Sequence, residues 1–412
     1  MAFGAMLSSF SALRNPATAT IRHAIMSGMN AQLDAERQKL AKRYSRIKRR
    51  LWIVNTLLGL VYALAWLLTG GSIALREWLS QATTSPWLLV PLVVAVIGGI
   101  YFIIDLPLSY YEEFVLPHRF DQSTQSLKDW GMDQLKGLLI SIPLGLVMIE
   151  LIYWALRVAG PAWWLWAAGG LLVFNVLLAN LAPILIMPLF NKFVPLGDEH
   201  AELAARLMKL AENAHVKVQG VFKFDMSRRT KSANAALTGI GNTRRIILGD
   251  TLINEFTDDE IETVLAHELG HQVHKDIPLL MAFGTLVTLL GLFLASLALN
   301  WAVAVFGFSG PGDPAALPAL VLVLGAFGLV TMPLENAFSR WREQLADQYS
   351  LESTGKNQAF ASAFIRLANQ NLSEIDPEAW VVFLFYDHPP LNRRVAMAEQ
   401  YHVSSQPQIS EP

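Results

Sequence analysis

The chain has 412 residues, of which 53% are hydrophobic and only 16% charged, whereas soluble domains usually carry about a quarter charged residues. This deficit points to lipid as the solvent for part of the chain. A formal net charge of -2 leaves no electrostatic case for nucleic acid, and the absence of cysteine excludes disulfides, thiolate metal sites and a cysteine nucleophile.

Before its first acidic residue, Asp34, the chain carries Arg14 and Arg22 among Ser, Ala and Thr. This weakly resembles an organellar transit peptide. A plain N-terminal tail, with Met29 as an alternative start, is the simpler expectation. Arg37, Lys39, Lys42, Arg43, Arg46, Lys48, Arg49 and Arg50 follow as a basic segment closing at residue 50.

A membrane-spanning helix needs about 20 mostly apolar residues. Six stretches meet that length, near 51–69, 87–108, 136–157, 163–190, 278–306 and 316–335. Trp163, Trp164 and Trp166 gather at one end of the fourth, as an interfacial aromatic belt does. Asp105 is placed near an interface by its position in the second stretch. Glu150 lies nearer mid-span and faces either a water-filled cavity or an interface.

Lys and Arg mark cytoplasmic loops. The basic segment precedes the first span, Arg119, Lys128 and Lys136 border the 109–135 loop, and the 307–315 loop has neither residue type. Both termini and the polar blocks are therefore expected on the cytoplasmic side. A bacterial inner membrane is the expected setting, and a eukaryotic organelle membrane the alternative.

The block 191–277 is the first long polar stretch. Residues 198–213 have helical periodicity; 216–225 and 244–248 read as strands, with an extended run at 233–238 between them. Gly239, Gly241 and Asn242 supply a turn. Thr257 followed by Glu260 forms a capping box that opens a helix running to about Lys275, with Pro278 marking the next span. After the last span, 336–353 and 357–370 read as separate helices. The region 336–400 completes the polar domain, and 401–412 reads as a disordered tail.

His267, Glu268 and His271 lie within the capped helix. Residues four apart share a helix face, so both histidines can bind one metal ion. Glu268 lies beside them, where it can serve as base toward an attacking water. A catalytic zinc has three protein ligands and an open position. A third histidine at 277 would mark the metzincin pattern, but Ile277 stands there. Glu343 is the favoured third ligand, with Asp347 one turn on to accept the other ring proton of a ligand histidine. His274 and Asp276 remain competing ligands, and Glu335, at a membrane edge, reads as structural.

The chain here resembles the type I CAAX prenyl proteases, which are integral-membrane zinc metalloproteases. The resemblance spans about 35–400. It rests on His267 to His271, on Asn336 to Arg340 followed by Glu343, Ala346 and Asp347, on Leu189 to Phe193, and on Ser232 to Ala235 with Arg245 to Leu248. His388, Pro389, Pro390, Leu391 and Arg394 match as well, and Phe120, Asp121 and Thr124 match more weakly.

The resemblance implies Glu343 as third zinc ligand and Ala233, Asn234 and Ala235 as an edge strand holding substrate backbone. It implies His388 in the cleft, positioning substrate or its oxyanion, and Arg394 supporting the site or the substrate's C-terminus. Family members commonly have seven spans around a chamber, whereas six are found here. Asn242, Thr243 and Asp387 also depart from the usual neighbours.

The expected fold is mainly α: a polytopic bundle of about six spans with a cytoplasmic, gluzincin-like zinc protease domain and a small β-sheet. The expected activity is zinc-dependent hydrolysis of peptide bonds, one zinc per chain, with Glu268 as general base. Expected partners are the lipid bilayer and a peptide or protein substrate, CAAX-type prenylated or membrane-tethered. Membrane-protein quality control without a prenyl requirement, and a non-catalytic zinc-binding scaffold or transporter, are the alternatives.

Overall fold

The computed structural model describes residues 33–239 and 241–405. The transit-peptide question, Met29 and the last residues of the tail lie outside the described residues.

Helix α1, Ala35–Leu68, starts where the Asp34 carboxylate accepts the backbone N–H groups of Glu36 and Arg37. The basic segment and the first span are thus one rod, not two units. The short α2, Gly71–Ser80, follows a left-handed turn at Gly70 (φ 70°). Helix α3, Pro86–Tyr110, continues through a π-type turn, Tyr111–Val115, as far as Arg119. Helix α4, Leu127–Val158, is capped by Ser126. Helix α5, Trp163–Leu181, widens into a π-type turn, Ala182–Ile186, where Pro183 has no N–H to offer.

Helices α9, Asp276–Phe306, and α10, Leu317–Thr354, return to the membrane region after the polar block. Among the described residues, six helices are long and apolar enough to cross a bilayer. Tyr153, Trp163, Leu299 and Leu320 are buried where α4, α5, α9 and α10 meet. Many of the bundle's other large apolar side chains, Trp166 among them, face outward, as a surface solvated by lipid requires. Within the spans, Asp105 accepts the Ser109 hydroxyl at 2.5 Å, and Glu150 lies 3.6 Å from an Arg157 nitrogen.

The polar block adds α6, Ala201–Asn213, and four strands: β1 Phe193–Pro195, β2 Val221–Phe224, β3 Ala235–Thr238 and β4 Arg245–Gly249. Their order is β1-β2-β4-β3; β2 and β4 are parallel, and the outer pairs antiparallel. The strand expected over 216–225 is shorter: it begins at Val221, directly after Gly220 with φ 156°. Helices α7, Asp250–Glu255, and α8, Asp258–Val273, follow, and α8 opens on the expected capping box of Thr257 and Glu260. It ends two residues before Lys275, which takes a left-handed conformation (φ 55°) and turns the chain directly into α9.

Beyond the membrane, α10 does not restart near 336. It runs unbroken for 38 residues, from the last span into the polar domain. Helices α11, Asn357–Gln370, α12, Ala379–Phe385, and α13, Leu391–Ser405, complete the fold. Helix α13 extends past Tyr401, where a disordered tail was expected. Leu203, Leu207, Ile246, Leu248, Ile261, Leu265 and Leu269 form the core that fixes α8 against the sheet.

Candidate active site

Helix α8 carries His267, Glu268 and His271 toward α10, which brings Glu343 and Asp347. The two helices approach closely because position 270 is glycine. A Cβ there would lie 2.9 Å from Ala346 Cα and 3.1 Å from its carbonyl oxygen.

The His267 Nε2 and His271 Nε2 atoms are 3.2 Å apart. Glu343 straddles them, with Oε2 3.3 Å from His267 Nε2 and Oε1 3.3 Å from His271 Nε2. The carboxylate thus bridges the two rings with different oxygens; taking one ligand atom from each residue, the three lie within 4.8 Å of one another, close enough to converge on one ion. Glu343 Oε2 is buried and accepts no hydrogen bond among the described residues. Two imidazoles and a carboxylate suit a divalent cation, and their convergence fits the site to one.

Carboxylates also hold the far side of each ring. Asp347 Oδ1 lies 2.9 Å from His267 Nδ1, and Asp276 Oδ2 lies 2.7 Å from His271 Nδ1. With Nδ1–H donated outward, each Nε2 turns its lone pair toward the shared point. Buried arginines hold the carboxylates in turn: Arg394 Nε donates to Asp347 at 2.8 Å, and Arg342 Nε donates to Asp276 at 2.6 Å. Burial resists a charge on His267, but Asp347 and Glu343 outweigh it and lift the imidazole to about 9. His271 is raised as well, with Glu343 and Asp276 overcoming burial and the neighbouring His267. A proton and a cation therefore compete for the same nitrogens.

Asp276, weighed above as a ligand, thus stands behind His271 instead. His274 caps α8, and its ring packs edge-on against Tyr349, away from the triangle. Arg394 is buried against Asp347 and also lines the adjoining cavity. His388 is half exposed; its Nε2 lies 3.4 Å from Glu343 Oε1 and its Nδ1 2.8 Å from Asp387 Oδ1.

A cavity of about 170 Å³ joins these groups. It is lined by Ala233, Asn234, Ala235, His267, Glu268, Asn371, His388 and Arg394, with Leu252, Val264, Phe364 and Leu367 closing its apolar side. Ala235 lies at the free edge of the sheet, while the Asn234 carbonyl before it accepts the Gly249 N–H at 2.9 Å. The backbone of Ala233 is taken as well: Asn371 Oδ1 accepts its N–H at 2.8 Å, and Asn371 Nδ2 donates to its carbonyl at 3.2 Å. Asp276, Arg342 and Asn371 carried no motif that marked these positions; only the spacing of Asp276 after His271 hinted at the first.

Two histidines one turn apart, an acidic residue from a second helix and a further glutamate in the cleft, mounted on membrane-length helices, define a polytopic membrane metallopeptidase. Residues 19–192 match the family described as CAAX prenyl protease N-terminal, five membrane helices, and residues 198–402 match peptidase family M48. The chain is 31% identical over 365 residues to Uncharacterized metalloprotease YhfN of Bacillus subtilis, covering 88% of this chain and 85% of that one. It is 32% identical over 323 residues to CAAX prenyl protease 1 of Saccharomyces cerevisiae, covering 73% and 70%. The crystal structure of S. mikatae Ste24p superposes with a TM-score of 0.80 at 27% identity, over 89% of this chain and 90% of that one. The chain belongs to peptidase family M48, and it is a multi-pass membrane metalloprotease.

Proposed function

We propose that the metal is a single zinc held by His267, His271 and Glu343, and that the enzyme cuts membrane-tethered peptides, CAAX-type prenylated ones among them. The observation that carries this reading is the convergence of His267, His271 and Glu343 on one point, with His267 lining the same cavity as Glu268 and the sheet edge at Ala235. Two yeast and plant relatives bear the name CAAX prenyl protease 1 or its homologue, which supports the substrate class. So does the placement of Glu343. It lies eight residues beyond Glu335 on an unbroken helix, about 12 Å at a rise of 1.5 Å per residue. A peptide anchored in the membrane surface reaches that depth with a short extended segment.

Bound zinc supplies a Lewis acid that polarises the scissile carbonyl and acidifies water. Glu268 then takes a proton from the attacking water as the new C–O bond forms, and delivers it to the leaving nitrogen as the C–N bond breaks. Asp347 and Asp276 hold the Nδ1 protons of His267 and His271 throughout. His388 faces the cleft with its Nδ1 side held by Asp387 at 2.8 Å, so that Nε2 is placed to donate to the carbonyl oxygen as charge develops there. Ala235 pairs with the peptide backbone at the sheet edge, and Asn234 lines the cleft beside it. The polar domain and both termini lie in the cytoplasm.

The test is zinc content together with cleavage of a fluorogenic farnesylated CAAX peptide by detergent-purified protein. Glu268→Gln is expected to keep about one zinc per chain and to lose at least about 10³-fold in rate, within the range of general acid–base terms. Retained cleavage in that variant overturns the mechanism. Equal cleavage of unprenylated, unfolded membrane peptides replaces the prenyl reading with quality control.

A further inference from the structure

His388 faces the cleft, yet its own packing does not fix it there. Its side chain is 53% exposed, and that of Asp387, which holds its Nδ1, is 67% exposed. An exposed side chain keeps one direction only where the backbone on either side of it is held. On the C-terminal side, Pro389 and Pro390 are buried, and Pro389 biases the residue before it toward an extended conformation. Further along, Arg394 ties the start of α13 to Asp347 of α10.

On the N-terminal side stands α12. Its seven residues are too few for a helix that is stable alone, and the last carbonyls of a helix have no partner within it. Two side chains of α10 supply the missing donors. Asn336 Nδ2 donates to the Leu384 carbonyl at 2.6 Å. Arg340 Nη1 donates to the Val382 carbonyl at 3.0 Å and also to the Tyr386 carbonyl. Tyr386, the first residue past the helix, is extended (φ -100°, ψ 116°), and His388 follows two residues on.

Among the described residues Arg340 forms no ion pair, so its charge is directed at two main-chain carbonyls. Such charge-assisted bonds are stronger than neutral ones. Positions 336, 340, 343 and 347 recur at helical spacing, so one face of α10 carries both ties, Glu343 and Asp347. The rod that holds α12 is therefore the rod that brings a carboxylate to the metal site.

We propose that Arg340 is a positioning residue for His388: it clamps the end of α12 onto α10, so that His388 Nε2 stands over the cleft, 3.4 Å from Glu343 Oε1. This rests on the reading of His388 as a donor to the carbonyl oxygen. Without the clamp the last turn of α12 loses its partners, and the stretch from Tyr386 to His388 gains freedom that Pro389, at one end only, does not remove. Arg340 bonds to neither His267 nor His271 among the described residues, so the metal is expected to stay. A donor that acts as charge develops affects the transition state more than ground-state binding, and its displacement lowers kcat more than it raises KM.

The experiment is a double-mutant cycle on detergent-purified protein with a farnesylated CAAX peptide: wild type, Arg340→Met, His388→Ala and the two together. Arg340→Met keeps a long side chain and loses the donors. It is expected to lower kcat at least about tenfold, with KM within about threefold and about one zinc per chain retained, since a misplacement of about 1 Å costs up to about 10²-fold. In the His388→Ala background the same substitution is expected to change kcat by less than about twofold, because the group it positions is already gone. Arg340→Lys keeps a cationic donor without the rigid fork, and its kcat is expected to lie between wild type and Arg340→Met. It takes the place of Arg340→Met in the cycle if that variant melts early.

Equal losses from Arg340→Met with and without His388 make Arg340 a structural tie only, and overturn the proposal. So does wild-type kcat in Arg340→Met, or loss of zinc from a variant that stays folded. If His388→Ala alone keeps wild-type kcat, the reading of His388 falls first and this inference falls with it. If wild type cuts no peptide, the hydrolase reading falls and takes both.

Discussion

Asp347 and Asp276 perform matching tasks from unrelated places in the chain. Each takes the Nδ1 proton of one histidine, and each is held by a buried arginine. Removing a metal site's supporting carboxylate typically costs about 10- to 100-fold in metal affinity. Asp276→Asn retains an oxygen for His271 Nδ1–H but removes the charge opposite Arg342, so zinc affinity measured by chelator competition is expected to fall by about tenfold or more. Affinity within twofold of wild type would show that Asp276 does not orient the ring.

The sequence was legible for His267, Glu268 and His271 because helical period alone puts them on one face. Asp347 was legible because it lies one turn after Glu343. Asp276 was open between ligand and non-ligand, since a carboxylate just past the helix can address either ring nitrogen. The left-handed residue Lys275 decides the matter, and nothing in a lysine announces that conformation.

At the scale of elements, the site depends on how closely α8 and α10 pack. In an isolated helix, glycine to alanine is worth about 1 kcal/mol in favour of alanine. At Gly270 the added methyl meets backbone of Ala346 at 2.9 Å and Tyr349 Cβ at 3.2 Å, none of which is the end of a flexible side chain. Overpacking of this kind costs about 1–3 kcal/mol. Gly270→Ala is therefore expected to lower the thermal midpoint and, by shifting Glu343 away from the histidines, to cut activity by more than about tenfold. A raised midpoint with full activity would mean that propensity outweighs packing and that the helices have room to part.

The same two helices mark where the sequence pattern misled. The change from apolar to charged residues near 335 reads as a boundary between a span and a new helix, yet α10 is continuous. Hydropathy reports which solvent surrounds a helix, not whether its backbone breaks. No left-handed glycine occurs in α10 until Gly355. The basic segment and first span fuse into α1 for the same reason. The consequence is mechanical: the residue completing the triangle is rigidly joined to a membrane span.

At the scale of the whole molecule, the six spans were legible from length and composition, because lipid demands long apolar runs. The sheet order was not. The parallel pairing of β2 with β4 joins strands separated by the β3 excursion, and strands of three to five residues carry too little pattern to indicate their neighbours. Orientation in the bilayer rests on charge alone. The basic residues of α1 flank the first span on one side, and the 307–315 loop has no Lys or Arg on the other. The chain has no cysteine, so one introduced thiol reports its side without background. Ala82, between α2 and α3, and Glu212, on α6, are both exposed and lie on opposite sides under this reading. In intact cells a membrane-impermeant maleimide is expected to label Ala82→Cys, and to label Glu212→Cys only after permeabilisation. The reverse pattern would place the metal site outside the cytoplasm, where the substrates proposed here are not presented, and would overturn both the orientation and the substrate class that depends on it.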